Sequence, residues 1–142
     1  MIIDAKTEVK MSKISKTPKL PNLQIGRIGE YCVAAELEKR GYNTTLTMNN
    51  TNYIDILGFN DDGKQIMVQV KTTMNPTWAF DIKKIPSKML KKIVFVFVKI
   101  KSDFTKEYHI VKGQNVQLGI ENYKVSTWSD KNNRYLDKWN NL

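Results

Sequence analysis

Cysteine and histidine are almost missing: Cys32 and His109 are the single examples in 142 residues. One cysteine excludes an internal disulfide framework and a cysteine-based zinc site, and one histidine argues against a His-rich metal centre. Proline is scarce, with four residues, two of which (Pro18 and Pro21) fall near the start. Long apolar runs are missing too. The longest, Ile93 to Val98, is far short of the ~20 residues that span a bilayer. No segment joins a basic face to a continuous Leu/Phe/Trp face, so a membrane is a poor partner. Met1-Ile2-Ile3-Asp4 lacks the basic stretch and apolar segment of a secretory signal. These absences lead to the expectation of a soluble, cytoplasmic protein with no membrane partner.

What is present is a folded composition, 41% hydrophobic and 26% charged, in a chain the size of one ordinary domain. Lys and Arg number 23 against 14 Asp and Glu, a formal charge of +9 that favours anionic partners, nucleic acid first. The basic excess begins in an arm, residues 1–22, with Lys6, Lys10, Lys13, Lys16 and Lys19 and little periodicity. Residues 23–142 are expected to form a single domain.

The first element expected is a helix from Leu23 to Arg40, with Asn22 as N-cap and Gly41 just past the end. Ile25, Ile28, Cys32 and Ala35 recur at helical spacing and are expected to face the core, while Gly26 and Gly29 leave room for another segment. Glu30 shares a line with Val33, Ala34 and Leu37, which places a carboxylate at the edge of an apolar face. Strands are expected over Tyr42–Met48, Tyr53–Phe59 and Lys64–Thr73, the last two joined by Asp61-Asp62-Gly63, a three-residue hairpin loop with glycine in the left-handed position. That loop sets a register in which Asp55 lies across from Gln69. A polar loop, Asn49 to Asn52, precedes Asp55. A short helix near Ser87–Lys92 leads to Ile93–Ile100, an unbroken apolar strand of the kind buried on both faces, and Glu107–Val111 pairs with it. Tyr123–Leu142 is expected to fold back as a helix or an irregular cap.

Residues two apart on a strand project together, so Gln69 and Lys71 share a face, and the hairpin register sets Asp55 beside them. A carboxylate, a second oxygen ligand and an ammonium suit metal-assisted hydrolysis of a phosphodiester. Mg²⁺ takes hard oxygen ligands and lowers the pKa of a bound water. Lys71 orients that water or neutralises charge on the phosphorus. Glu30 completes the group if its helix packs across the sheet.

The run Gly26-Arg27-Ile28-Gly29-Glu30-Tyr31-Cys32-Val33-Ala34-Ala35-Glu36-Leu37, then Gly41-Tyr42, Ile54-Asp55-Ile56-Leu57 and Val68-Gln69-Val70-Lys71-Thr72 resembles the PD-(D/E)xK nuclease superfamily, in its Holliday-junction-resolvase-like and restriction-endonuclease-like branches. The resemblance is specific over residues 25–73 and looser beyond, through Val94–Val98, Tyr108–Val111 and Asp137-Lys138-Trp139. It implies an α/β fold with a restriction-endonuclease-like core, α-β-β-β-α-β, its mixed central sheet flanked by helices. It implies catalytic roles for Lys71, Asp55, Gln69 and Glu30, and a metal, Mg²⁺ or substituting Mn²⁺, held by Asp55, Gln69, Glu30 and the Val70 backbone carbonyl. Gln69 departs from the family, where most members carry Asp or Glu, and a neutral amide weakens metal affinity.

Plainer roles stand beside these. Asp55 also suits a strand edge, Gln69 a hydrogen bond within the sheet, and Glu30 an ion pair with Arg27. Arg27, Thr73, Lys83, Lys84 and Lys88 are candidate phosphate contacts, although such a lysine run also makes an ordinary solvated face. Trp78 suits a core or lid, and His109 and Cys32 are expected to be structural. The first expectation is a Mg²⁺-dependent DNA endonuclease, as a homodimer or beside a larger DNA-processing partner. Its rivals are a catalytically silent nucleic-acid-binding or protein-interaction module and a subunit active only when recruited.

Overall fold

Residues 19–47, 53–122 and 127–142 are described in the structure, a computed structural model. Most of the basic arm, the Asn49–Asn52 loop and the start of the expected C-terminal cap lie outside these residues.

Helix α1 spans Asn22–Lys39, with Pro21 rather than Asn22 in the N-cap position and no side-chain cap. It ends where a left-handed residue is needed. Gly41 has φ +87°, its N–H donates to the Glu38 carbonyl at 3.0 Å, and the Tyr42 N–H reaches back to the Leu37 carbonyl at 3.1 Å. This is a Schellman closure, and Tyr42 and Leu37 also meet in the core. The buried residues of α1 are Gly29, Val33 and Leu37. Ala35 is exposed and Cys32 half-buried, which corrects the expected core line by a rotation of the helix. The cause is Gly29, whose bare backbone is pressed against the sheet.

Strands β1 (Asn43–Leu46), β2 (Ile56–Phe59), β3 (Gln65–Thr73), β5 (Ile93–Ile100) and β6 (Lys106–Lys112) form one mixed sheet in the order β1-β2-β3-β5-β6. The β2–β3 hairpin has the expected register, Ile56 opposite Val68 and Phe59 opposite Gln65, closed by Gly63 at φ +82°. β3 and β5 are parallel, Met67 opposite Ile93 through Thr73 opposite Lys99. Their crossover contains β4 (Trp78–Ala79), a 3-10 turn at Ile82–Lys84 and the one-turn helix α2 (Ser87–Leu90). A smaller sheet, ordered β4-β8-β7, is completed by β7 (Ile120–Asn122) and β8 (Thr127–Trp128). The protein is therefore α/β with a mixed five-stranded sheet.

Each face of the sheet carries its own core. Ile56, Ile66, Val68, Val70, Val96 and Val98 pack against Val33 and Leu37 of α1. On the other face Phe95 and Phe97 are covered by Trp78, Ile82, Ile85 and Trp128, with the Phe97 and Trp128 rings stacked at 3.7 Å between centroids. Trp78 thus belongs to the core, its Nε1 donating to the Val98 carbonyl at 3.0 Å. The C-terminal cap is irregular, with 3-10 turns at Lys131–Asn133 and Trp139–Asn141. It is tied to β6 by the buried His109–Asp130 pair, Nδ1 to Oδ2 2.7 Å, and to the end of α1 by Arg40 lying 4.0 Å over the Trp139 ring. His109 therefore serves structure. No helix among the described residues is long and apolar enough to cross a membrane.

Candidate active site

Asp55 sits one residue before β2, where the β2–β3 ladder ends at Ile56 opposite Val68. Its N–H donates to the Val68 carbonyl at 2.8 Å, and its carbonyl accepts the Thr47 N–H at 2.8 Å, so the backbone is held from both neighbouring strands. Beyond this point the strands part, and the Val70 N–H would lack a partner. The Asp55 carboxylate supplies one: Oδ2 accepts the Val70 N–H at 2.7 Å and the Gln69 Nε2 at 3.0 Å. A strand residue offers its N–H and C=O to the same side, so the Val70 carbonyl also faces this opening.

Gln69 is 8% exposed. Because Asp55 Oδ2 can only accept, the Gln69 amide is oriented with nitrogen toward it, which leaves Oε1 buried without a partner. An orphaned buried acceptor costs about 1–3 kcal/mol. A cation or a bound water's hydrogen relieves that cost.

Gln69 and Lys71 lie on the Phe95–Phe97 face, opposite those residues across β3 and β5, whereas α1 covers the other face. The Glu30 charge nevertheless acts on Asp55 and Lys71, because α1 lies close to β3. A Cβ on Gly29 would fall 1.7 Å from the Thr72 Oγ1, so only glycine lets the helix settle there. Gly26, by contrast, faces open space. Burial first, and then the Asp55 charge, push the Glu30 carboxyl above its ordinary range, opposed by Arg27 and Lys71. Burial likewise raises Asp55, against the Val70 hydrogen bond and the Lys71 charge. Burial lowers Lys71, against Asp55 and Glu30. Three half-buried ionisable groups, two carboxyls and one ammonium, thus act on one another.

Phe80 is the member that sequence reasoning missed. Its ring centre lies 5.6 Å from the Lys71 Nζ, and the ring packs on Phe95 and Phe97. It stands in a loosely patterned stretch nine residues past Lys71, and only the crossover brings it back. Thr47, whose hydroxyl donates to the Ile54 carbonyl, was likewise read only as a strand former.

The other candidates are spread more widely. Arg27 is exposed one turn before Glu30 on α1, close enough for its charge to act on that carboxyl. Thr73 accepts the Asn75 N–H at 3.0 Å and, with Lys71 and Thr72, lines a groove of about 610 Å³ that also touches Lys19 and Ser102. Lys83, Lys84 and Lys88 are exposed on the crossover, and none of them is among the charges acting on Asp55, Glu30 or Lys71. Among the described residues no cluster of three or more His, Cys, Asp or Glu is placed to hold a metal. A metal here would rest on two carboxylates and neutral oxygens. That donor set fits a hard divalent cation: two mutually repelling carboxyls, the orphaned Gln69 oxygen and a backbone carbonyl at a strand gap.

No protein-family model matches this chain, and no curated protein matches it by sequence.

Proposed function

We propose that this chain is a metal-dependent endonuclease that hydrolyses phosphodiester bonds in DNA, built on a restriction-endonuclease-like core. The observation that carries the proposal is the buried, unpartnered Gln69 Oε1 on the amide that holds the Asp55 carboxylate, with the charges of Glu30, Asp55 and Lys71 acting on one another. The element order, one helix, three antiparallel strands, then a crossover with a one-turn helix to a parallel strand, supports it.

Glu30, Asp55, Gln69 Oε1 and the Val70 carbonyl would hold Mg²⁺, or Mn²⁺ in its place. When bound, such an ion lowers the pKa of a water and draws charge from the phosphate. The Val70 N–H and the Gln69 amide keep the Asp55 carboxylate in one orientation. Lys71, shielded from water by burial and by Phe80, places its ammonium beside the carboxylates and neutralises charge developing on the phosphoryl oxygens. Arg27 and Thr73 flank the strand ends as phosphate contacts. Lys83, Lys84 and Lys88 add contacts that position a strand without reading its sequence.

One observation favours a second reading, a catalytically silent binding module. Asp55 Oδ2 is already satisfied from within the chain, and Gln69 brings no charge. The two separate by assaying labelled duplex, branched and single-stranded DNA with Mg²⁺ or Mn²⁺, beside EDTA and the Lys71→Ala and Asp55→Ala variants. Cleavage that needs the metal and falls at least a hundredfold in both variants is the expected result. Salt-sensitive binding without cleavage, unchanged in both, would instead establish the silent module. Cleavage that appears only after a DNA-processing partner is added would establish a recruited subunit.

A further inference from the structure

At the end of the sheet away from Asp55, the strand β5 begins near the start of β3 and the end of β6. Four lysines meet there. Lys64 precedes β3, Lys91 and Lys92 precede β5, and Lys112 ends β6, and all four are exposed. They line one groove of about 340 Å³ together with Gln65 and Gln114, and no acidic side chain lines it. Among the described residues none of the four has an ion-pair partner; Lys64 Nζ donates to the Leu142 carbonyl at 2.7 Å. Like charges from three separate segments are thus gathered in one groove.

The groove is joined to the candidate active site by the sheet itself. Lys92 also lines the adjoining groove with Leu57, Phe59 and Met67. Met67 projects from β3 on the same face as Gln69 and Lys71. Leu57 and Phe59 are 43% and 55% exposed, so this part of the face lies open. Lys83, Lys84 and Lys88 sit on the crossover whose Ile82 and Ile85 pack on the same face.

We propose that the Lys64–Lys91–Lys92–Lys112 groove is a second phosphate-backbone contact, which holds the duplex arm running away from the cut. The inference rests on the nuclease reading. Ammonium groups interleaved with side-chain amides are the chemistry that grips phosphate oxygens without selecting bases. Lys64 and Lys71 are seven residues apart along extended chain, about 23 Å at roughly 3.3 Å per residue. That distance corresponds to roughly seven base-pair steps at about 3.4 Å each.

The test compares Lys64→Gln/Lys92→Gln/Lys112→Gln with a control of equal charge loss, Lys106→Gln/Lys131→Gln/Lys138→Gln, drawn from other exposed positions. Affinity for a fluorescein-labelled duplex of ~20 base pairs is measured in EDTA over a salt series. The patch variant is expected to flatten the slope of log affinity against log salt by about 2–3, near 0.9 per lost phosphate contact, and the control by less than about 1. Cleavage by saturating protein with Mg²⁺ stays within about twofold of wild type for both variants. Equal responses of the patch and control variants overturn the proposal while leaving the nuclease reading intact. Polyglutamate that competes as well as duplex at equal charge also overturns it, and assigns the groove to an acidic protein. A wild-type chain that neither binds nor cuts DNA removes the nuclease reading, and this inference with it.

Discussion

Gly29→Ala tests the contact that brings α1, and with it Glu30, to the strand ends. The added methyl would lie 1.7 Å from Thr72 Oγ1, 2.8 Å from Thr72 Cβ and 2.9 Å from Cγ2. Rotating the Thr72 side chain can move Oγ1 and Cγ2, but Cβ is fixed to the β3 backbone. The helix must therefore withdraw by close to 1 Å, or β3 must bend. Overpacking of this kind costs about 1–3 kcal/mol, against which Ala recovers up to about 1 kcal/mol of helix propensity. A net loss of about 1–2 kcal/mol is expected, a fall of roughly 3–8 °C in Tm for a domain of this size. Gly26→Ala is the matched control, since nothing lies within 4 Å of its added methyl. It is expected to gain about 0.5–1 kcal/mol. Urea denaturation of both variants, with m-values equal to wild type, supplies the numbers. A Gly29→Ala variant as stable as Gly26→Ala would refute the close approach of α1 to β3, and the placement of Glu30 that depends on it. Thr72→Ala in the Gly29→Ala background should restore part of the loss, because two of the three clashing atoms are removed.

Four further outcomes are expected. His109→Ala removes the ring hydrogen bond to Asp130, whose side chain is 2% exposed and keeps the Tyr135 N–H, and should cost roughly 1–3 kcal/mol in urea denaturation; a cost below about 0.5 kcal/mol would show that the pair does not secure the C-terminal cap. Glu30 and Asp55 stand above their ordinary pKa values of 4.5 and 3.8, so the folded chain keeps protons there that the unfolded chain has released. Stability should then fall as pH rises through that window and stay lowered at neutrality. Glu30→Gln removes one of these groups and relieves the other, so in EDTA its urea midpoint should decline less than wild type between about pH 4 and 7; equal declines would refute the Glu30–Asp55 pairing. Tyr108 is pushed up to about 12, by burial first and then by Cys32. An ultraviolet titration should show a tyrosine step at about 12, and Tyr108→Phe should delete that step; its survival in the variant would refute the assignment. Finally, Lys71→Ala should abolish metal-dependent cleavage while leaving far-ultraviolet circular dichroism unchanged, and retained cleavage would remove Lys71 from the reaction.

The geometry around Asp55 was legible in the chain because it is local. A three-residue loop with Gly63 in the left-handed region sets the register of β2 and β3, and where that ladder ends, at Ile56 opposite Val68, the Asp55 side chain reaches Gln69. The buried character of β5 and the end of α1 at Gly41 were equally local, each written in a run of a few residues. The start of α1 was misread by one position, since Pro21 takes the place expected of Asn22. The C-terminal cap was legible only as something folded back. Its turns depend on Trp128 stacking on Phe97 and on Asp130 reaching His109, contacts between segments distant in sequence.

The side of the sheet from which Glu30 approaches was decided only by tertiary structure. Periodicity placed Glu30 at the edge of an apolar stripe and drew a core line through Ile25, Ile28, Cys32 and Ala35, of which Ile25 and Ile28 pack on the core while Ala35 is exposed. Side-chain hydropathy gives no weight to a glycine, yet the bare backbone of Gly29 is what seats the helix on Thr72. Phe80 over Lys71, and the four lysines at the far end of the sheet, arise in the same way. The pairing of β3 with β5 joins segments far apart along the chain. By itself the sequence determined which residues repeat with the period of a strand or helix, and which turns join them, because those preferences act over a few bonds. Which faces then meet was decided by close packing of the whole chain.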